Sequence, residues 1–301
     1  MNGILAQPAL ELRSVGKTLD LSEGAWGELM DSSSIAGDVA ALQRRMDEEG
    51  YLFIRGFFPR ELIRKVRISL LEALNGEGAF EEPLEEGRIR KGSSITPFSP
   101  DEARKNEAIQ RVVFGPEIKT FYQNFLGGPI RHFDYIWMRT MGHGQGTRPH
   151  CDIVYMGRGT HRLHTAWIPY GDVPLDLGGL MILEKSHLKA DKIRNYLESD
   201  VDTYCENIPG HDGWKFGGAL STNPATLREK LGGRWLTAEF RMGDLLTFRM
   251  DTIHGSLDNQ TDRIRLSTDT RYQLTSEPVD ERWVGENPIA HGPNAKRGLI
   301  C

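Results

Sequence analysis

The sequence predicts a mainly β fold, a barrel or sandwich, with helices flanking it. After Pro129 the apolar segments are short, rich in β-branched and aromatic residues, and separated by Gly, Pro and Asp turns. Before that point the apolar residues recur at helical spacing. The chain has 301 residues, which suits one large domain.

The first part of the chain is predicted to be largely helical. Val39, Leu42 and Met46 share one helical face, and Gly50 is a typical residue to end that helix. The apolar run that follows is a short buried strand. The predicted elements are helices over 35–49, 60–75 and 101–126, with a strand over 51–54.

Residues 76–100 differ in composition from the helices around them. An acidic stretch, a basic stretch and several Gly, Ser and Pro residues follow one another. We interpret this segment as a solvated loop. The alternative is a mobile lid over a pocket, since long loops in compact domains often act as lids.

The second half of the chain carries the predicted β core, over about residues 130–275. An insertion with a helix near 189–198 interrupts the core over about 184–235. We therefore expect a single domain over 1–301, with its helical part at about 35–126. The predicted strands cover 135–140, 153–155, 163–168, 180–183, 245–248 and 264–272.

Composition excludes several classes of protein. Apolar residues make up 39% and charged residues 26% of the chain, which is ordinary for a soluble globular protein. A net charge of −5 argues against a nucleic-acid binder, and no apolar run is long enough to cross a membrane. Residues 1–8 lack the pattern of a secretory signal, and the three Cys are widely spaced. We expect a cytoplasmic monomer or homodimer.

A candidate metal-binding pair follows a glycine-rich loop. On one strand, His150 and Asp152 would point to the same face and offer two ligands to one ion. Because the chain has nine His, about one such pair is expected by chance, and His132 with Asp134 is a rival. The loop and Pro149 favour the first pair, since they place it at an exposed rim.

His254 and Arg265 support a metal-binding role for His150 and Asp152. Two histidines and one carboxylate form a facial triad, which leaves positions open on Fe(II) for other ligands. Arg265 follows His254 by eleven residues, in a strand whose alternate residues are polar. Alone, that strand would indicate a face in water. With His254 it indicates a polar lumen, where a guanidinium could bind the far carboxylate of 2-oxoglutarate and Ser256 or Ser267 could add a hydrogen bond.

These motifs resemble those of the phytanoyl-CoA dioxygenase family of Fe(II)/2-oxoglutarate oxygenases. The likeness covers about residues 49–272, including the opening helix–strand–helix segment. It implies a double-stranded β-helix, or jelly roll, flanked by helices. The family's functional residues fall on His150 and Asp152, on His254-Gly255-Ser256, on Arg265 and, for a tryptophan lining the cosubstrate pocket, on Trp167.

The resemblance implies a dioxygenase that uses Fe(II), 2-oxoglutarate and O2 to oxidise a C–H bond, releasing succinate and CO2. Hydroxylation is the default outcome, and Asp152 argues against halogenation because related halogenases carry a small residue there. A cupin-like isomerase or sensor without 2-oxoglutarate is the alternative, but it would not need Arg265. A zinc hydrolase would usually carry an HExxH helix, which the sequence lacks.

The substrate is predicted less directly. We expect a small molecule, and the basic segment after the metal ligands suggests an anionic one. A solvated hairpin tip is the simpler interpretation of that segment. If it does bind substrate, the candidate residues are Arg158, Arg162 and, from the polar strand, Arg271.

Overall fold

The computed structural model describes residues 11–76, 78–205 and 216–299 of the chain. Residues 1–8 and Cys301 lie outside these ranges. The expected cytoplasmic location rests partly on these residues. The helices are α1 (Val39–Glu49), α2 (Arg60–Leu74), α3 (Pro100–Lys105), α4 (Glu107–Val113), α5 (Pro116–Leu126), α6 (Ile153–Met156), α7 (Arg194–Leu197) and α8 (Pro224–Leu231). Short 3-10 helices cover Ser33–Ile35, Leu84–Glu86, Leu175–Leu177, Ser186–Ile193, Glu281–Trp283 and Pro293–Ala295.

Two β-sheets form the core. The strands are β1 (Arg13–Ser14), β2 (Lys17–Thr18), β3 (Trp26–Glu28), β4 (Tyr51–Ile54), β5 (Ile130–His132), β6 (Trp137–Met141), β7 (His164–Pro169), β8 (Leu180–Leu183), β9 (Thr203–Cys205), β10 (Trp235–Thr237), β11 (Leu245–Arg249), β12 (His254–Ser256), β13 (Arg265–Leu274) and β14 (Arg297–Leu299). The large sheet has the order β4-β11-β7-β13-β5, with β6 also paired to β13. The small sheet has the order β12-β8-β10-β3.

Alternation along the strands of the large sheet explains how the layers pack. Successive side chains point to opposite faces. Tyr51 and Phe53 of β4 therefore join an apolar cluster with Ile182 of the small sheet. Leu52 and Ile54 join the helical layer on the other face, which includes residues of α1, α2, α4 and α5. The large sheet is thus buried on both faces.

β13 follows the same alternation with polar residues on its inner face. Leu266 and Tyr272 pack against the helical layer. Arg265, Asp269 and Arg271 are buried on the other face, toward the small sheet. The predicted polar lumen is therefore present, and it lies between the two sheets.

The predicted helices over 35–49 and 60–75 and the strand over 51–54 are confirmed with small shifts in their ends. Asp38 caps α1 by accepting a hydrogen bond from the Ala41 N–H at 3.0 Å, and Gly50 ends it at a φ of 80°. The predicted helix over 101–126 is instead three helices. The side chain of Asn106 caps α4, and Pro116 begins α5, where a proline is tolerated only in the first turn.

One predicted strand is wrong. Residues 153–155 belong to the single-turn helix α6, and Ile153, Val154 and Met156 are all buried there. A short apolar run that is buried on every side has no period that separates helix from strand. The predicted helix near 189–198 is a 3-10 helix followed by α7.

The middle of the segment over 76–100, which we interpreted as a loop, is hydrogen-bonded to neighbouring segments. The N–H of Ile89 donates to the carbonyl of Asp262 at 2.8 Å, and the N–H of Ile264 donates to that of Gly87 at 2.8 Å. Arg67, which is buried, donates to the carbonyl of Glu85 at 2.9 Å. These contacts fix the middle of the loop against the start of β13.

No helix in the described part of the chain is long and apolar enough to span a membrane. The division into one domain with an insertion remains a prediction.

Gly50 gives a test of the helix–strand junction. Its φ of 80° disfavours any residue with a Cβ, and a Cβ there would overlap the ring of His187. We expect Gly50→Ala to lower the free energy of unfolding by roughly 2 kcal/mol or more, measured by urea denaturation. Gly24→Ala is the control, since a Cβ at Gly24 meets nothing within 4 Å and should change stability by at most about 0.5 kcal/mol. Equal effects of the two changes would contradict this account.

Candidate metal centre

Two imidazoles and one carboxylate converge between the sheets. The Nε2 atoms of His150 and His254 each lie 3.7 Å from Oδ1 of Asp152. Those separations are too long for hydrogen bonds. All three donor atoms lie within 4.8 Å of one another, which is close enough for them to hold one metal ion. Among the described residues this is the one group of three or more potential ligands whose atoms come this close together.

Backbone pairing sets the two histidines side by side. The N–H of each residue donates to the carbonyl of the other, both at 2.9 Å. Their rings lie 4.2 Å apart between centroids. The Nδ1 of His150 donates to the carbonyl of Arg148 at 2.8 Å, and that of His254 to the carbonyl of Thr252 at 3.0 Å. This arrangement leaves the Nε2 lone pairs free for a metal.

Asp152 is positioned by the start of a helix and not by the strand that the sequence predicted. It has helical backbone angles and precedes α6, so it does not share a strand with His150. Its Oδ2 accepts hydrogen bonds from the Thr165 hydroxyl at 2.5 Å and from Nη2 of Arg271 at 2.8 Å. Thr165 and Arg271 are cross-strand partners on β7 and β13. Because Oδ2 has two donors, Oδ1 is the oxygen left for a metal.

Electrostatics keep the donor atoms in ligating form. Burial lowers the pKa of His150 to about 3 and also lowers the pKa of His254. Burial alone would raise the pKa of Asp152, but the charge of Arg271 and the two imidazoles hold it below its usual range. At neutral pH the cluster is therefore two neutral imidazoles and a carboxylate. This donor set fits Fe(II).

A small cavity beside the cluster contains the predicted cosubstrate cation. The side chain of Arg265 is buried and makes no hydrogen bond to another described residue, and its Nε is shielded from solvent. Burial lowers its pKa to about 10. A buried guanidinium without a partner is strongly unfavourable. The cavity is therefore suited to an anion, and the far carboxylate of 2-oxoglutarate has the geometry that a guanidinium binds best.

The other predicted cosubstrate residues lie close to Arg265. The ring of Trp167 is 6.0 Å from the Arg265 guanidinium carbon, and Trp167 and Ser256 both line the small cavity. The Ser256 hydroxyl accepts from the Thr147 N–H at 2.8 Å and keeps its own proton to donate. Ser267 is buried nearby on β13, but it does not line this cavity.

A larger cavity of about 530 Å³ adjoins the small one. The two share Arg139, Thr147, His150 and Arg271. This larger cavity is therefore lined by the metal ligands His150 and Asp152 but not by Arg265. Its apolar lining consists of Trp137, Met141, Tyr155, Met156 and Ala219.

The three arginines predicted for substrate binding occupy different places. Arg271 lines both cavities, and its guanidinium carbon lies 4.1 Å from the Trp137 ring centre. Arg158 pairs with Asp200 at 2.5 Å, and Arg162 pairs with Glu277. Neither Arg158 nor Arg162 lines a cavity at the metal cluster. The predicted substrate role of those two is not supported by their positions.

The rival pair is structural. The ring of His132 stacks on Phe114 at 3.9 Å and lies 3.4 Å from Asp134. Among the described residues no second histidine joins it in a metal-binding group.

Sequence reasoning missed two supporting groups. Arg139 on β6 lines both cavities and donates to Asp269 at 2.9 Å, and Thr165 holds Asp152. A charged residue between Trp137 and Met141 in a predicted strand marks Arg139 as unusual. Nothing in the sequence marks Thr165, since its role depends on which strand lies beside β13.

Known proteins resemble this chain over most of its length. The profile of the family described as phytanoyl-CoA dioxygenase (PhyH) matches residues 46–267. A curated relative, 1-deoxypentalenic acid 11-beta-hydroxylase of Streptomyces exfoliatus, is 26% identical over 263 residues, covering 83% of this chain and 86% of the relative.

Solved structures show the same fold. The epimerase SnoN, solved with Fe3+, alpha ketoglutarate and nogalamycin RO, superposes with a TM-score of 0.56 at 19% identity, over 85% of this chain and 94% of its own. EctD from S. alaskensis superposes with a TM-score of 0.57 at 15% identity, over 96% and 95%. These likenesses confirm the predicted jelly-roll fold.

The support of Asp152 by Thr165 can be tested by metal titration. We expect Thr165→Val, which keeps the side-chain shape but removes the donor, to weaken Fe(II) binding roughly tenfold in anaerobic titrations of the metal-free protein. Thr268→Val is the matched control, because Thr268 lies on the opposite face of the sheet and bonds Tyr170 at 3.2 Å. Unchanged Fe(II) affinity in Thr165→Val would show that the hydroxyl does not position the ligand.

Proposed function

The chain belongs to the phytanoyl-CoA dioxygenase family and is an Fe(II)/2-oxoglutarate-dependent dioxygenase; we propose that it hydroxylates an unactivated C–H bond of a small, acidic molecule. One atom of O2 enters the substrate and the other enters succinate, with loss of CO2 from 2-oxoglutarate. The observation that carries the proposal is the convergence of His150, Asp152 and His254 where two cavities meet.

In this proposal His150, Asp152 and His254 would hold the iron where the two cavities meet. Iron and 2-oxoglutarate, when bound, supply the activation of O2. Thr165 and Arg271 hold Asp152 so that one oxygen stays directed at the metal. The backbone contacts of His150 and His254 fix their ring orientation before any ligand binds.

Arg265 would bind the far carboxylate of 2-oxoglutarate in the small cavity. Trp167 forms a wall beside it, and the Ser256 hydroxyl is placed to donate a further hydrogen bond. Arg139, Arg271 and Asp269 bring charges of both signs to the same space. Because this space is small and shielded, the cosubstrate would be bound with little surrounding water.

The larger cavity is the proposed substrate site. Its volume of about 530 Å³ is within the range of small-molecule pockets. The curated relative is named for hydroxylating 1-deoxypentalenic acid, a carboxylic acid. A lining that combines apolar side chains with arginines suits a molecule of that kind, an apolar body with an acidic group.

Cosubstrate binding gives a direct test. Adding 2-oxoglutarate to the anaerobic Fe(II) protein should produce a visible charge-transfer band. We expect Arg265→Ala to raise the 2-oxoglutarate concentration needed for that band by about 100-fold, since a buried ion pair is lost.

Arg263→Ala is the matched control, because Arg263 precedes β13 and lines neither cavity, so its titration should follow the wild type. No band in the wild-type protein would favour the cupin-like alternative. An unchanged titration in Arg265→Ala would remove the role given to Arg265. Succinate release measured against a panel of small acids would then identify the substrate.

A further inference from the structure

Arg148 is attached to the metal centre through its backbone. Its carbonyl accepts the hydrogen bond from Nδ1 of His150, and the carbonyl of the buried Pro149 accepts one from the Leu220 N–H at 2.8 Å. The main chain at this point is therefore fixed. The Arg148 side chain is exposed, yet it lines the larger cavity. The Arg148 side chain therefore extends from a fixed backbone position at the rim of the cavity.

One of the three arginines around the larger cavity has no carboxylate partner among the described residues. Three arginines line it. Arg271 is paired with Asp152 at 2.8 Å and Arg139 with Asp269 at 2.9 Å. Arg148 has no carboxylate within ion-pair distance in the described part of the chain. Its guanidinium is the cation of this cavity that stays available to a ligand.

Tyr155 connects the rim of the larger cavity to the metal centre. It lines this cavity together with Arg148, and its ring lies 5.5 Å from that of His150. Arg148 and the metal ligand His150 therefore border the same space.

We propose that Arg148 binds the acidic group of the substrate and so orients its apolar body toward His150. This inference rests on the proposed function and names the group that the substrate must carry, a carboxylate or an anion of similar size. A guanidinium at an open rim suits this task, because it binds a carboxylate through two hydrogen bonds. In this proposal each arginine binds a different ligand. Arg265 binds the cosubstrate in the small cavity, and Arg148 binds the substrate in the larger cavity.

The test compares an acid with its uncharged analogue. The probes are 1-deoxypentalenic acid and its methyl ester, titrated by calorimetry into the anaerobic protein loaded with Fe(II) and 2-oxoglutarate. We expect the wild type to bind the acid at least about tenfold more tightly than the ester, which corresponds to one charge-assisted interaction. Arg148→Gln should remove that preference, and Arg148→Lys should keep part of it.

Arg162→Gln is the matched control. Arg162 is also an exposed arginine close to the metal-ligand segment, but it lies away from both cavities and should keep the wild-type preference. The proposal is overturned if the wild type binds neither probe or binds both equally, or if Arg148→Gln retains the preference. Failure of the proposed function is a separate result. It would appear as the absence of the 2-oxoglutarate charge-transfer band in the wild-type protein.

Discussion

The burial of charged groups on the inner face of β13 is the constraint on which the rest of the site depends. Arg265, Asp269 and Arg271 lie between two sheets, beside a cluster of buried apolar side chains. Charge in such a place is stable only if it is paired. Arg271 meets Asp152 and Asp269 meets Arg139, so that two pairs are complete within the protein. Arg265 remains, and its missing anion defines the cosubstrate cavity.

This constraint links the fold to the metal centre. Arg271 can hold Asp152 only because β7 lies beside β13 and brings Thr165 to the same carboxylate oxygen. The helices on the outer face make this possible, since they bury Leu266 and Tyr272 and so commit the polar residues to the inside. The helical layer thus sets the direction in which the charged residues point, although it supplies no ligand.

Much of the fold and of the candidate site could be predicted from the sequence, because the period of apolar residues and the spacing of motifs are local properties. The alternation of β13 predicts its polar inner face, and the eleven-residue spacing singles out His254 and Arg265. The strand predicted to carry both His150 and Asp152 is wrong, since Asp152 has helical backbone angles. Contacts that depend on which strands become neighbours could not be predicted. Thr165 acquires its role only through pairing with β13. The helix α6 was missed because burial on all sides removes the period that would reveal it.

The backbone pairing of His150 with His254 separates two tasks within the same two residues. The main-chain N–H and carbonyl groups join the two segments, and this link does not use the imidazoles. The imidazole Nε2 atoms are left to the metal centre. The contact that joins the segments and the contact that binds metal are therefore made by different atoms, and a substitution that keeps the N–H can remove the second without removing the first.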